Sequence, residues 1–131
     1  MKNVYLCPHC HANLNPNVKI ILLATHRRRK GLILLSPQPG NFQFFWDDQL
    51  AEVVKPGTRI KFLCPVCSSD LTSAVNPEFA ELFLDVQDQN PRRMFFSRQF
   101  GTHATFIDKG DVIAAYGENV EDYDRINFFG S

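Results

Sequence analysis

Leu6-Cys7-Pro8-His9-Cys10-His11-Ala12-Asn13-Leu14 and Leu63-Cys64-Pro65-Val66-Cys67-Ser68-Ser69-Asp70-Leu71 are two versions of one phrase. The opening leucine, the two cysteines, the proline and the closing leucine coincide, and Asn13 stands opposite Asp70. A match at so many positions predicts two equivalent turns meeting around a pseudo-twofold axis, each preceded by a strand and each contributing two sulfurs. The proline after each first cysteine fixes φ and lacks an N–H, which suits a tight turn without taking a donor from the sulfurs.

All four cysteines of the chain lie in these two phrases. The opening Met1-Lys2-Asn3-Val4-Tyr5-Leu6-Cys7 has no apolar core of signal-peptide length, and no later run has the length of a membrane span, so the expected compartment is the reducing cytoplasm. Structural disulfides do not persist there, and close cysteine pairs read as metal ligands. Four thiolates suit zinc, because each Cys-x-x-Cys turn places two sulfurs about 2.3 Å from one ion and two turns complete a tetrahedron. A complete set leaves no open position for a substrate or water, which marks a structural ion. Iron is chemically admissible in the same donor set, and zinc is the commoner occupant. His9 and His11 flank the first knuckle, either as hydrogen-bond donors around the metal or as residues facing water.

Two other uses of Cys7-Pro8-His9-Cys10-His11 have to be weighed. With His11 as an axial ligand it fits the Cys-x-x-Cys-His pattern of haem attachment, but that chemistry normally follows export. As a catalytic dithiol it needs a helix N-terminus to lower a thiol pKa, and Ala12-Asn13-Leu14-Asn15-Pro16 offers no convincing helix. Neither use explains a matching second knuckle.

Cys7-Pro8-His9-Cys10 and Cys64-Pro65-Val66-Cys67 resemble the two knuckles of the zinc-ribbon superfamily. The resemblance implies that Cys7, Cys10, Cys64 and Cys67 are the ligands and that the adjoining strands form the ribbon sheet, over roughly the first half of the chain. The stretch from Cys10 to Cys64 is long for a minimal ribbon, so inserted strands are expected to elaborate the sheet.

Those strands can be read from the pattern. Val18 to Thr25 and Leu32 to Leu35 predict a hairpin with a basic tip, His26-Arg27-Arg28-Arg29-Lys30-Gly31. Ser36 to Asn41, with two prolines and a glycine, breaks it, and Phe42 to Trp46 resumes as a strand. Asp47-Asp48-Gln49 opens a short helix through Val54, ended by Lys55-Pro56-Gly57-Thr58. Arg59 to Leu63 alternates as a strand that delivers Cys64. Beyond Asn76-Pro77, Phe79 to Val86 and Met94 to Phe100 predict a hairpin turning at Asp88-Gln89-Asn90-Pro91. His103 to Ile107 and Val112 to Tyr116 pair across Asp108-Lys109-Gly110-Asp111, and Ile126 to Phe129 gives a closing strand. The expected fold is mostly β, a zinc ribbon elaborated by antiparallel hairpins. Residues 1–75 form the ribbon portion, and residues 76–131 form a small β-rich portion packed on it as one compact unit.

With 131 residues, 44% of them hydrophobic, the chain has the material for one such unit. Fourteen basic residues balance 14 acidic ones, so no bulk field draws it to nucleic acid or an anionic membrane, and any such contact must be local. The local candidate is Arg27, Arg28, Arg29 and Lys30, which can meet successive phosphates, an acidic partner or only solvent. The acidic stretch Glu118 to Asp124 is one possible counterpart, within the chain or across a homodimer. Phe42, Phe44, Phe45 and Trp46 read as core in preference to a ligand groove. No catalytic triad, phosphate loop or paired-acid pattern stands out. The expectation is a non-catalytic zinc-binding interaction module, with a protein partner favoured over RNA or DNA and no membrane partner. A zinc-thiolate redox sensor is a further alternative.

Overall fold

Side chains on a strand alternate between faces, so each run of alternating burial marks a strand with one side on a core. A computed structural model of the protein describes residues 4–38, 41–85, 91–109 and 113–120. Nine strands and one helical turn are found among them. They are β1 (Val4–Leu6), β2 (Ile20–His26), β3 (Arg29–Leu35), β4 (Phe44–Trp46), α1 (Asp48–Ala51), β5 (Lys61–Leu63), β6 (Phe79–Asp85), β7 (Arg92–Ser97), β8 (Thr105–Asp108) and β9 (Ile113–Tyr116). The fold is mostly β, as expected, in two antiparallel sheets ordered β1-β6-β7-β8-β9 and β4-β3-β2-β5. The expected turn at 88–90, the glycine of the 108–111 turn and the closing strand 126–129 lie outside the described residues.

The β2–β3 hairpin is tighter than its composition suggests. Arg27 and Arg28 take φ of 50° and 68°, and the strands pair up to His26 opposite Arg29. A two-residue loop with positive φ at both positions matches the strand twist, so Arg29 and Lys30 belong to the strand and not to a broad tip. Helix α1 is a single turn. Asp47 caps it by accepting the Gln49 N–H at 3.1 Å, and the chain leaves the helix after Ala51, short of the expected Val54.

The facing sides of the sheets form one core. Leu22, Ile33 and Phe62 on one sheet and Leu82, Leu84, Met94 and Ile107 on the other are all buried in it. The sheets do not follow the chain halves, because β1 lies in the sheet that otherwise comes from residues after Asn76.

A second regularity emerges from the register. In the first half a short strand and knuckle lead to three antiparallel strands, β2-β3-β4; in the second, β5 and its knuckle lead to β6-β7-β8. Ile21 faces Leu34, which faces Phe45; correspondingly, Glu81 faces Phe95, which faces Phe106. The short strands are exchanged: Tyr5 of β1 pairs with Leu84 of β6, and Phe62 of β5 with Ala24 of β2. The halves thus match strand for strand, with first strands crossed over the pseudo-twofold axis.

The outer faces break this equivalence. On the five-stranded sheet Phe95 and Phe106 are 0% and 6% exposed, packed with Phe79 and Ala104 under Val75, Ile113 and Val120. Their counterparts Leu34 and Phe45 are half-buried and 63% exposed. Truncating Phe95 to Ala should therefore cost about 3–5 kcal/mol in denaturant unfolding, whereas Leu34→Ala should cost on the order of 1 kcal/mol. Equal losses would contradict the assignment of covered and open faces.

Candidate metal centre

Each knuckle begins where a short strand ends. Cys7 follows β1 and Cys64 follows β5, and both are fully buried, while Cys10 and Cys67 are exposed. The backbone repeats itself through both turns. The His11 N–H donates to the Cys7 carbonyl and the Ser68 N–H to the Cys64 carbonyl, each at 2.9 Å. His11 and Ser68 both take φ of 62°, the left-handed conformation that closes the turn. Leu6 then bridges Asn13 and Leu63 bridges Asp70, so the residues aligned in the sequence also occupy equivalent places. The Asn13 and Asp70 side-chain oxygens accept the Asn15 and Thr72 N–H groups, both at 2.9 Å, forming matching turns that neither residue type alone announces.

The sulfurs are poised to ligate. Cys7 Sγ accepts the backbone N–H groups of His9 at 3.3 Å and Cys10 at 3.4 Å; Cys64 Sγ accepts those of Val66 and Cys67 at the same distances. Across the axis Cys7 Sγ lies 3.8 Å from Cys67 Sγ, and Cys10 Sγ lies 3.7 Å from Cys64 Sγ. All four sulfurs are within 4.8 Å of one another. A metal–sulfur distance of about 2.3 Å requires a tetrahedron with edges of about 3.8 Å, so one ion fits among them. The four cysteines are free of disulfides.

Burial and hydrogen bonding divide the thiols. Burial pushes Cys7 from 9.0 up to about 12 and also raises Cys64. The hydroxyl and N–H of Ser69 bring exposed Cys67 down from 9.0 to about 6. At neutral pH Cys67 is therefore a ready thiolate, whereas Cys7 and Cys64 surrender protons when a cation arrives. For the metal-free fold the signs are opposite: the Cys7 contribution is present below pH 9.0 and is lost as pH rises towards about 12, whereas that of Cys67 is present above 9.0 and is lost as pH falls towards about 6.

The remaining candidate residues are dispersed. The His9 imidazole Nε2 lies 3.2 Å from the Asp70 carbonyl of the other knuckle, and its backbone, not its ring, meets a sulfur. His11 packs near Phe83, with ring centroids 6.1 Å apart. These backbone donors were not singled out by residue type; the signal for them is the Cys-x-x-Cys spacing itself. Arg27, Arg28, Arg29 and Lys30 are exposed at the far end of the β2–β3 hairpin, with Arg29 paired to Glu52 at 3.1 Å. Glu118, at the start of the acidic stretch, pairs with His103 at 3.1 Å, and residues 121–124 lie outside the described residues.

Metal binding should be stoichiometric and should release protons. Titrating the reduced, metal-free chain with one equivalent of zinc at pH 7.5 should liberate at least the two protons of Cys7 and Cys64, read from the dependence of the heat on buffer ionisation. Release of one proton or none would contradict this picture of the site. Replacing either buried cysteine with serine should abolish tight binding. Comparison of the chain with protein-family models, curated proteins and solved structures finds no match.

Proposed function

We propose that the protein is a non-catalytic interaction module in which a structural zinc ion, held by Cys7, Cys10, Cys64 and Cys67, fixes a two-sheet scaffold for binding another protein. Zinc is favoured over iron as the commoner occupant of a closed four-thiolate set. Such a set leaves no coordination position for a reaction. A reducing compartment suits it, because the thiols stay free to ligate.

The observation that supports a macromolecular partner is the outer face of the four-stranded sheet. Ile21, Leu34 and Phe45 lie in one row of cross-strand partners, and Leu32, Leu23 and Leu63 in another. Each of the six is half-buried or exposed, with Leu32 at 50% and Phe45 at 63%. An apolar field across four strands is larger than the scattered leucines of an ordinary surface. Its charged neighbours are mostly lysines: Lys19 stands 5.3 Å over the Phe45 ring, and Lys30 and Lys61 both pair with Thr25 on the same face, while one carboxylate, Asp70, bridges Leu63. Among the described residues, Lys61 alone of the three has a carboxylate within ion-pair distance, Asp70 at 3.8 Å. The complementary surface is a protein segment with an apolar stripe flanked by aspartate or glutamate. The matching face of the other sheet is covered by the chain itself, and here that cover would come from the partner.

A photo-crosslinking residue in place of Phe45, with a second at Ala115 on the other sheet as control, tests this reading in cells. The expected product is a protein crosslinked through an acidic, apolar segment from position 45 only, and lost on Leu32→Asp. Equal capture at both positions, or capture indifferent to Leu32→Asp, would refute it. Binding to single-stranded or duplex nucleic acid at low salt, lost when Arg27 and Arg28 become Ala, would instead favour the nucleic-acid reading that those exposed arginines support.

A further inference from the structure

A cavity of about 240 Å³ lies between the two sheets. Its floor is deeply buried and mostly apolar: Tyr5, Ile20, Ile33, Phe62 and Met94 line it at 5% exposure or less. Its walls include Phe44, Phe96 and Phe100, held in edge-to-face pairs. Phe62 and Phe96 stand 5.2 Å apart at 65°, and Phe44 and Phe100 stand 5.7 Å apart at 85°. Four exposed carboxamides, Gln38, Asn41, Gln43 and Gln99, mark the side open to solvent. The cavity is thus graded, from an apolar floor through aromatic walls to a neutral hydrogen-bonding rim.

Charge narrows the class of occupant. The described lining contains no carboxylate, and its two basic groups are engaged. Arg98 donates to the Ile60 carbonyl at 2.8 Å and the Pro77 carbonyl at 2.6 Å, and His103 meets Glu118 at 3.1 Å while stacking on Phe42 at 4.6 Å. Among the described residues no buried side-chain nitrogen or oxygen lacks a hydrogen-bond partner, so the floor makes no demand for a polar guest. An apolar protein cavity of about 150 Å³ takes up benzene. Scaled to this volume, the guest has on the order of ten non-hydrogen atoms. Rigid aromatic walls favour a flat ring system over a flexible chain, because ring edges and faces can both be matched without ordering rotatable bonds.

We infer that this cavity is a binding site for an uncharged bicyclic aromatic molecule bearing one hydrogen-bonding group. The rings rest on Ile20, Ile33 and Met94 against the paired Phe62 and Phe96 rings, and the polar group meets the carboxamide rim. The site is separate from the metal centre and from the outer sheet face, and it stands whether or not the interaction-module reading holds.

The 131-residue chain, loaded with zinc and titrated with 2-naphthol, tests it. Saturable shifts of amide resonances from the lining and a thermal midpoint rising with ligand concentration are expected. Filling the floor with Ile33→Trp should weaken binding by roughly tenfold or more while metal content is retained. If that variant loses its fold, Ile20→Phe serves the same purpose. The cationic analogue 2-naphthylmethylamine should bind roughly tenfold more weakly, since no carboxylate is found in the described lining. No saturable binding to the folded wild type, equal affinity in a folded, filled variant, or no preference for the neutral ligand would overturn the assignment.

Discussion

Four sulfurs around one point tie together strands that belong to different sheets. Cys7 continues β1, an edge of the five-stranded sheet, and Cys64 continues β5, an edge of the four-stranded sheet. A cation held by both pairs cross-links the edges where three-residue strands supply few ladder bonds of their own. The backbone reinforces the join. Leu14 donates to Tyr5 and accepts from Ile21, both at 2.7 Å, and Leu71 donates to Phe62 at 2.9 Å and accepts from Glu81 at 2.8 Å. Each knuckle thereby reaches from the strand before it to the hairpin after it, which lies in the opposite sheet. An ion bound there would couple metal binding to sheet docking, and its binding free energy would contribute to the stability of the whole core.

This constraint explains why the pseudo-symmetry survives in the centre and fails outside. Near the axis Tyr5 answers Phe62, Leu14 answers Leu71 and Cys7 answers Cys64, all nearly or fully buried. Farther out, the demands on the two halves differ. Phe95 and Phe106 need cover and receive it from Val75, Ile113 and Val120, whereas the first half places helix α1 after its third strand and leaves Leu34 and Phe45 open. A duplicated framework has thus produced one closed face and one that presents apolar surface with lysines around it.

How much of this was legible in the sequence depended on distance along the chain. The paired Leu-Cys-Pro-x-Cys phrases carried their meaning locally: turn geometry, sulfur placement and the Asn13–Asp70 correspondence all follow from residues within one phrase. Alternation likewise placed most strands within a few residues of their observed ends. The exchange of β1 and β5 was not legible, because a three-residue strand such as Val4-Tyr5-Leu6 states no preference between β2 and β6; the choice rests on packing between distant parts of the chain. The strand-for-strand match of the halves was hidden too, since Leu34 and Phe95 are equivalent in register but share neither side chain nor neighbours. For the same reason Phe42 to Trp46 read as ordinary core, although alternation sends Phe44 towards the cavity and Phe45 towards solvent.

The four-cysteine site and the cavity are linked along two strands. Tyr5 and Phe62 each precede the first cysteine of a knuckle by two residues, and both line the cavity from opposite sheets. Tyr5 is fixed further by donating its hydroxyl to the Pro37 carbonyl at 2.6 Å, beside the exposed rim. Because side chains alternate along a strand, holding Cys7 and Cys64 on the axis also holds Tyr5 and Phe62 on the inward face. An ion held by the four sulfurs would therefore fix the spacing of these two floor residues from outside the cavity. A closed four-thiolate centre could in this way govern a cavity whose floor is mostly apolar and whose exposed rim carries carboxamides.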